Sequence, residues 1–421
     1  LEKQTIIKKI IARKVFDSRG EETIEIEVET FSAKAVFAAP AGKSKGAKEV
    51  EYYPKGGVNE AVRIFNKEIA PKLINLDSCN QIEIDNILKE IDGTERFEVI
   101  GGNTAIATSL VIAEVAAKSL NIPLFMHLGG VFSNILPLPL GNVLGGGKHA
   151  GEGAPDIQEY LVVPLNPRNI YEAIQANITV HKKLGEILSK NVKGFTKGKG
   201  DEGAYAPNID SLKALEYVSE AVNETMDNLG IKIGIGLDVA ASSLWNEKEK
   251  VYFYSRENIK LNTEEQIERM LYLIDKYKIV YLEDPLHEDD FEGFSELTKK
   301  SKNTLICGDD IFTTRKELLE KGYSMKAGNA IIIKPNQVGT LTDTYKTIDF
   351  AKKHGYTPVA SHRSGETEYG YLAHIAVGFN CSMIKAGIMG GERIAKANEL
   401  IRISEYLGNF AKMASLGVDI K

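Results

Sequence analysis

Three cysteines, a single tryptophan and no apolar run of membrane-spanning length are what this 421-residue chain has little of, and each scarcity removes a class of protein. Cys79, Cys307 and Cys381 are odd in number, far apart and without Cys-x-x-Cys spacing. A disulfide scaffold and a zinc ribbon are thereby excluded, and the three read as small buried hydrophobes in a reducing compartment. The longest apolar stretch, Ala105 to Ala117, is broken by Thr108, Ser109 and Glu114 and falls short of the roughly 20 residues a bilayer span needs. Basic charge is in deficit too, with a net charge of -6 and no Lys/Arg block interleaved with aromatics, so a nucleic-acid partner is not expected. Leu1 to Lys9 lack the apolar core and cleavage site of a secretory signal, and a cytoplasmic protein is the expectation.

What remains is an ordinary folded chain, 43% hydrophobic and 26% charged, too long for one core. Residues 1–38 alternate in polarity, as in Glu25-Ile26-Glu27-Val28-Glu29, which predicts half-buried antiparallel strands joined by a turn at Ser18-Arg19-Gly20. The Gly-, Lys- and Ser-rich stretch that follows, to Gly57, is too long for a simple connection and is a candidate lid. Val58–Ala70, Asp77–Glu90 and Asn103–Leu120 have helical spacing. Gly129-Gly130, Pro137 and Pro139 then punctuate the chain, and we expect an α+β unit over 1–133, with lid 38–57, ahead of a second unit over 134–421.

Beyond that boundary, short apolar runs end in reactive residues: Asp238, Glu283, Asp309, Lys334, His362 and Lys385, at intervals of 45, 26, 25, 28 and 23. A βα unit of this size, repeated with a functional group at each strand end, predicts an α/β fold of the (β/α)₈-barrel type. A doubly wound open sheet is the alternative, but it would gather ligands at one switch point rather than around a ring.

Three carboxylates facing one another, Asp238, Glu283 and Asp309, would repel strongly without a cation, which points to a hard, oxygen-preferring ion such as Mg²⁺. Lys334 and Lys385 close apolar runs on the same rim, where burial and neighbouring cations lower a lysine pKa toward that of a base. His362-Arg363-Ser364-Gly365 offers a guanidinium fork, a hydroxyl and backbone amides to a phosphate. Glu159 and Glu202 add two carboxylates whose roles spacing alone leaves open, and the cluster Gly145-Gly-Gly-Lys-His149-Ala-Gly151 lacks a P-loop ending.

Taken together, Phe16-Asp-Ser-Arg-Gly20, Tyr281-Leu-Glu-Asp-Pro285, Ser361-His-Arg-Ser-Gly-Glu-Thr-Glu368 and Arg393-Ile-Ala-Lys-Ala-Asn-Glu-Leu-Ile-Arg402 resemble the enolase family over nearly the whole chain. The resemblance implies the enolase kind of barrel and reversible, Mg²⁺-dependent dehydration of 2-phosphoglycerate to phosphoenolpyruvate. It implies that Asp238, Glu283 and Asp309 hold a first Mg²⁺. Lys334 would be the base at C2, with Lys385 beside it, and Glu202 the acid, supported by Glu159. Arg363 and Ser364 would grip phosphate, and His149 would close over the substrate. A second Mg²⁺ would take the backbone carbonyl of Ala41, where the usual pattern has Ser, and a homo-oligomer, dimer or octamer, is implied as well. Glu21-Glu22 depart from the usual Asn-Pro. Two rival readings are a racemase or cycloisomerase of the same superfamily, and a binding or surface-receptor protein using Lys421. The first would carry Lys-x-Lys where this chain has Gly200-Asp201-Glu202.

Overall fold

The structure is a computed structural model that describes residues 4–43, 46–151 and 153–418, with only the backbone of residues 148 and 149. Three strands open it as an antiparallel meander: β1 (Ile7–Phe16), β2 (Glu22–Thr30) and β3 (Lys34–Ala38). The alternation in β2 has the expected consequence, since Ile24, Ile26 and Val28 are buried while Glu25 and Glu27 face Arg13 and Lys34. Glu21-Glu22 do not disturb the first turn, because the Glu21 N–H donates to Asp17 Oδ1 at 3.0 Å and Gly20 takes φ +75°.

The buried sheet face covers the helix Gly102–Ser119, in which every residue except Lys118 is buried. The two other predicted helices are displaced at their ends. Gly57–Ile64 widens into a π-turn over Phe65–Ile69 before Ala70–Leu73, just ahead of Pro71, which has no N–H to return to the preceding turn. Helix Gln81–Asp92 starts four residues later than expected, because Asp77 instead accepts the Cys79 N–H and forms a side-chain turn.

Eight strands then close a barrel: β4 (Leu138–Gly145), β5 (Glu159–Pro164), β6 (Ile233–Asp238), β7 (Ile279–Glu283), β8 (Leu305–Gly308), β9 (Ala330–Ile333), β10 (Thr357–Ser361) and β11 (Met383–Gly387). Closure comes from β11 pairing with β4, Lys385 opposite Leu140, which rules out the open sheet. One strand, β5, is antiparallel to both neighbours. Its link to β4 holds only a single helical turn, Gly147–Ala150, and an antiparallel neighbour needs no crossover helix. Its link to β6 holds two helices, Ile170–Asn191 and Ser211–Leu229. The insertion around Trp245–Tyr254 forms a small three-stranded sheet. Among the described residues no helix is long and apolar enough to cross a membrane.

Candidate active site

Side chains along a strand alternate between faces, so a residue two places beyond an inward-facing one also faces inward. The barrel interior is packed with Leu140, Leu161, Tyr281, Cys307, Ile332, Val359 and Met383. One step of two toward the rim lie Asn142, Glu159, Glu283, Asp309, Lys334, Ser361 and Lys385, and Asp238 follows Gly236 in the same way. The polar ring is therefore the top layer of the barrel core. Asp309 and Lys334 stand one residue past the ends of β8 and β9, whereas Lys385 is not at a strand end, since β11 continues to Gly387. At β10 the terminal residue is Ser361 rather than His362.

Glu159, Asp238, Glu283, Asp309, Lys334, His362, Arg363, Ser364, Lys385 and Glu202 come together around one cavity of about 320 Å³, with Glu283 just beneath its wall. The Lys385 ammonium is the hub, 3.0 Å from Asp238, 2.8 Å from both Glu283 oxygens and 3.1 Å from Glu159. Burial pushes the Asp238 and Glu283 carboxyls above their ordinary values, and Lys385 only partly counters it. Lys385 itself is held well above the usual lysine range, because the carboxylates outweigh its desolvation.

Lys334 departs from expectation. Burial works to lower its pKa, but the Asp309 carboxylate pairs directly with its ammonium and the net shift is upward. Asp309, which also accepts from Gln337 Nε2 at 3.0 Å, is correspondingly lowered despite burial.

Glu202 reaches the cavity from the loop between the two helices that precede β6. Gly203, at φ +77°, and Gly387 let this loop press against the end of β11, where any Cβ would collide with the Met389 or Glu202 carbonyl oxygen. Glu202 Oε2 accepts from Asn142 Nδ2 at 3.0 Å and lies 3.3 Å from His362 Nε2. The fully buried Arg393 donates to His362 Nδ1 at 2.8 Å, so the neutral ring carries its proton on Nε2, toward Glu202.

The lid is latched to the barrel. Arg363 forks onto Glu49 at 3.0 and 3.3 Å and donates to Asn336 at 3.0 Å; the Lys43 N–H donates to Ser364 Oγ at 2.7 Å, and Lys43 pairs with Asp201 at 3.2 Å. Arg363, expected to grip phosphate, already holds a carboxylate. The Ala41 carbonyl accepts the Gly365 N–H at 2.9 Å, and its neighbours Gly42 and Lys43 line the cavity. The side chain of His149, and Lys421, lie outside the described residues.

The donor set suits a hard divalent cation: buried carboxylates outnumber the ammonium groups among them, and two are driven toward protonation in its absence. Among the described residues, Asp284, Asp309 and Asp310 form an acidic group with ligand atoms within 4.8 Å of one another. Asp284 is less apt as a ligand than its neighbours, since it already accepts the backbone N–H groups of Asp309 and Asp310 at 2.9 and 2.8 Å. Glu49, Asn142, Asp284, Gln337 and Arg393 had no role assigned from sequence, although Asp284 and Arg393 lie within the motifs that carry the resemblance and Asn142 is a polar residue inside the apolar run of β4; Glu49 and Gln337 carried no local signal.

Comparison with known proteins agrees with this architecture. The family described as "Enolase, N-terminal domain" matches residues 7–128, and "Enolase, C-terminal TIM barrel domain" matches residues 133–419. The chain is 51% identical over 406 residues to the enolase of Methanosphaera stadtmanae, covering 96% of this chain and 98% of that protein. It is 48% identical over 414 residues to that of Methanothermobacter thermautotrophicus, covering 98% and 99%, and 48% over 412 residues to that of Pyrobaculum aerophilum, covering 96% and 98%. A barrel closed through one antiparallel strand, a ring of carboxylates and lysines at its mouth, and relatives matched almost from end to end place this chain in the enolase family.

Proposed function

We propose that this enolase-family lyase removes water from 2-phosphoglycerate, with Lys334 taking the C2 proton and Glu202 protonating the departing C3 hydroxyl. The observation that carries the reading is that Lys334 and Glu202 line one cavity together with the Lys385–carboxylate cluster. The division into residues 1–133 as a cap with lid 38–57, over a catalytic barrel at 134–421, belongs to the same proposal.

If the C2 proton and its base differ by on the order of 20 pK units in water, transfer costs about 27 kcal/mol. A turnover near 10 s⁻¹ allows a barrier of about 16 kcal/mol, so roughly 11 kcal/mol must come from stabilising the negative charge that develops on the substrate carboxylate. Lys385, fixed by three carboxylates, presents one immobile positive charge toward that position. Mg²⁺ held by Asp238, Glu283 and Asp309 would supply the rest and draw Asp309 away from Lys334. With Asp309 engaged there, desolvation and the nearby Arg363 and Lys385 charges would act to lower the Lys334 pKa toward that of a base. On the other side, Asn142 donates to Glu202 Oε2, and the neutral His362 lies 3.3 Å from the same oxygen, so the carboxyl that would carry the proton is oriented from the barrel wall. Arg363 and Ser364 would take the phosphate by exchanging Glu49 and the Lys43 N–H for it, which couples lid movement to binding.

Lys334→Ala should abolish exchange of the C2 proton with deuterated solvent, and Glu202→Gln should retain exchange while losing dehydration. Equal loss in both, or exchange surviving in Lys334→Ala, would overturn the division of labour. A cytoplasmic homo-oligomer completes the proposal, supported by three free cysteines and by exposed Val131, Phe132 and Phe410 around the Ile135–Lys412 bridge. Light scattering tests the assembly, and a monomer at micromolar concentration would contradict it.

A further inference from the structure

Tyr281 is a large side chain in the barrel interior, 1% exposed, one layer below the polar ring and on the same strand as Glu283. Its hydroxyl donates to Glu283 Oε2 at 2.6 Å. The ring has room because its partner on β6 is Gly236: a Cβ there would stand 3.2 Å from Tyr281 Cβ and Cδ1 and 3.3 Å from Leu161 Cβ. The Cys307 thiol, opposite Glu283 on β8, interacts with the same phenol. Glu283 is completely buried, so its orientation is set by the groups around it: Lys385 on both oxygens and Tyr281 from below on one.

From this geometry we infer that Tyr281 is a positioning residue of the cation site, a phenol donor on the barrel floor that fixes the Glu283 carboxylate for a divalent ion, with Gly236 as the space that admits it. The inference rests on the proposal that Glu283 ligates Mg²⁺. A carboxylate ligand whose far side is already hydrogen-bonded loses less rotational freedom on binding, and removing such outer partners costs about 10–100-fold in metal affinity. The phenol is a neutral donor at physiological pH, since a tyrosine ionises only at about pH 10. The simpler alternative is that Tyr281 fills space and that its hydroxyl is satisfied by the nearest acceptor.

Mg²⁺ titration by calorimetry on the stripped full-length protein separates the two. Tyr281→Phe keeps the ring, so the fold should persist, with the melting temperature in chelator near that of the wild type. Mg²⁺ affinity should fall about 10–100-fold. Unchanged affinity, or a fall in affinity matched by an equal fall in chelator stability, would overturn the inference. Gly236→Ala, which crowds the ring, should weaken Mg²⁺ binding in the same direction by a smaller factor, and normal binding there would count against the role given to the glycine. Glu283→Gln is the control for the underlying reading: if the wild type takes up no Mg²⁺, or Glu283→Gln binds it as the wild type does, the cation site itself is misassigned and not merely its support.

Discussion

Lys385→Met removes the ammonium that Glu159, Asp238 and Glu283 share, and its effect can be worked from the distances. The Nζ lies within 2.8 to 3.1 Å of all three carboxylates, and both sides are almost wholly buried. Deleting one side of a buried ion cluster leaves uncompensated charge, at a cost of about 3–5 kcal/mol. Unfolding entropy of about 2.1 cal/mol/K per residue amounts to about 0.9 kcal/mol/K for 421 residues, so the melting temperature in chelator should drop by about 3–6 °C at pH 8. The pH dependence has a definite sign. Folding already raises the Asp238 and Glu283 pKa values, and removing the lysine raises them further. A carboxyl raised on folding adds stability below its unfolded pKa, near 4, and that stability is lost as pH climbs through the folded value. The deficit of the variant should therefore be small at pH 5 and grow toward pH 8. Mg²⁺ at about 100 times its dissociation constant should return about 2.7 kcal/mol. Differential scanning calorimetry at four pH values tests this, and equal stability at pH 8, or a deficit independent of pH, would refute the reasoning.

Other outcomes follow from neighbouring groups. His181 is buried against Tyr205 with its Nδ1 unpartnered among the described residues, its Nε2 at 3.1 Å from the Gly203 carbonyl, and its pKa lowered to about 4 by desolvation. Because the unfolded imidazole takes up a proton near pH 6.5, stability should fall from there to about pH 4, by on the order of 3 kcal/mol at most, and His181→Gln should flatten that limb in acid melts. Glu49→Gln removes the carboxylate that competes for Arg363, so KM for 2-phosphoglycerate should drop several-fold while the lid becomes easier to cleave; unchanged KM would mean that Arg363 does not meet the phosphate. Gly203→Ala forces the Glu202 loop off the Met389 carbonyl and should cut kcat at least 10-fold with Mg²⁺ affinity intact, which parallel turnover and calorimetry measurements would check. Ala41→Ser would add a hydroxyl beside the carbonyl proposed for a second Mg²⁺ and should lower the Mg²⁺ concentration needed for half-maximal activity; an unchanged activation curve would take Ala41 out of the metal site.

The sequence by itself determined the repeating units, the strand faces and the residues that could meet at one rim. Periodicity of two in Glu25–Glu29 and apolar runs ending in charge at Asp238 and Glu283 are local properties, and local burial enforces them. Three matters were decided only by tertiary structure. The antiparallel course of β5 depends on which connections carry helices, a relation between segments rather than a pattern within one. The charge environment of Lys334 is the second, since desolvation, which its position predicts, is outweighed by the carboxylate of Asp309, 25 residues away, which the pairing of adjacent strands β8 and β9 brings beside it. Glu49 meeting Arg363 and Arg393 fixing the proton of His362 join residues 314 and 31 positions apart. Such pairs leave no trace in local sequence, because their energy exists only once the barrel has closed and the lid has been laid across it.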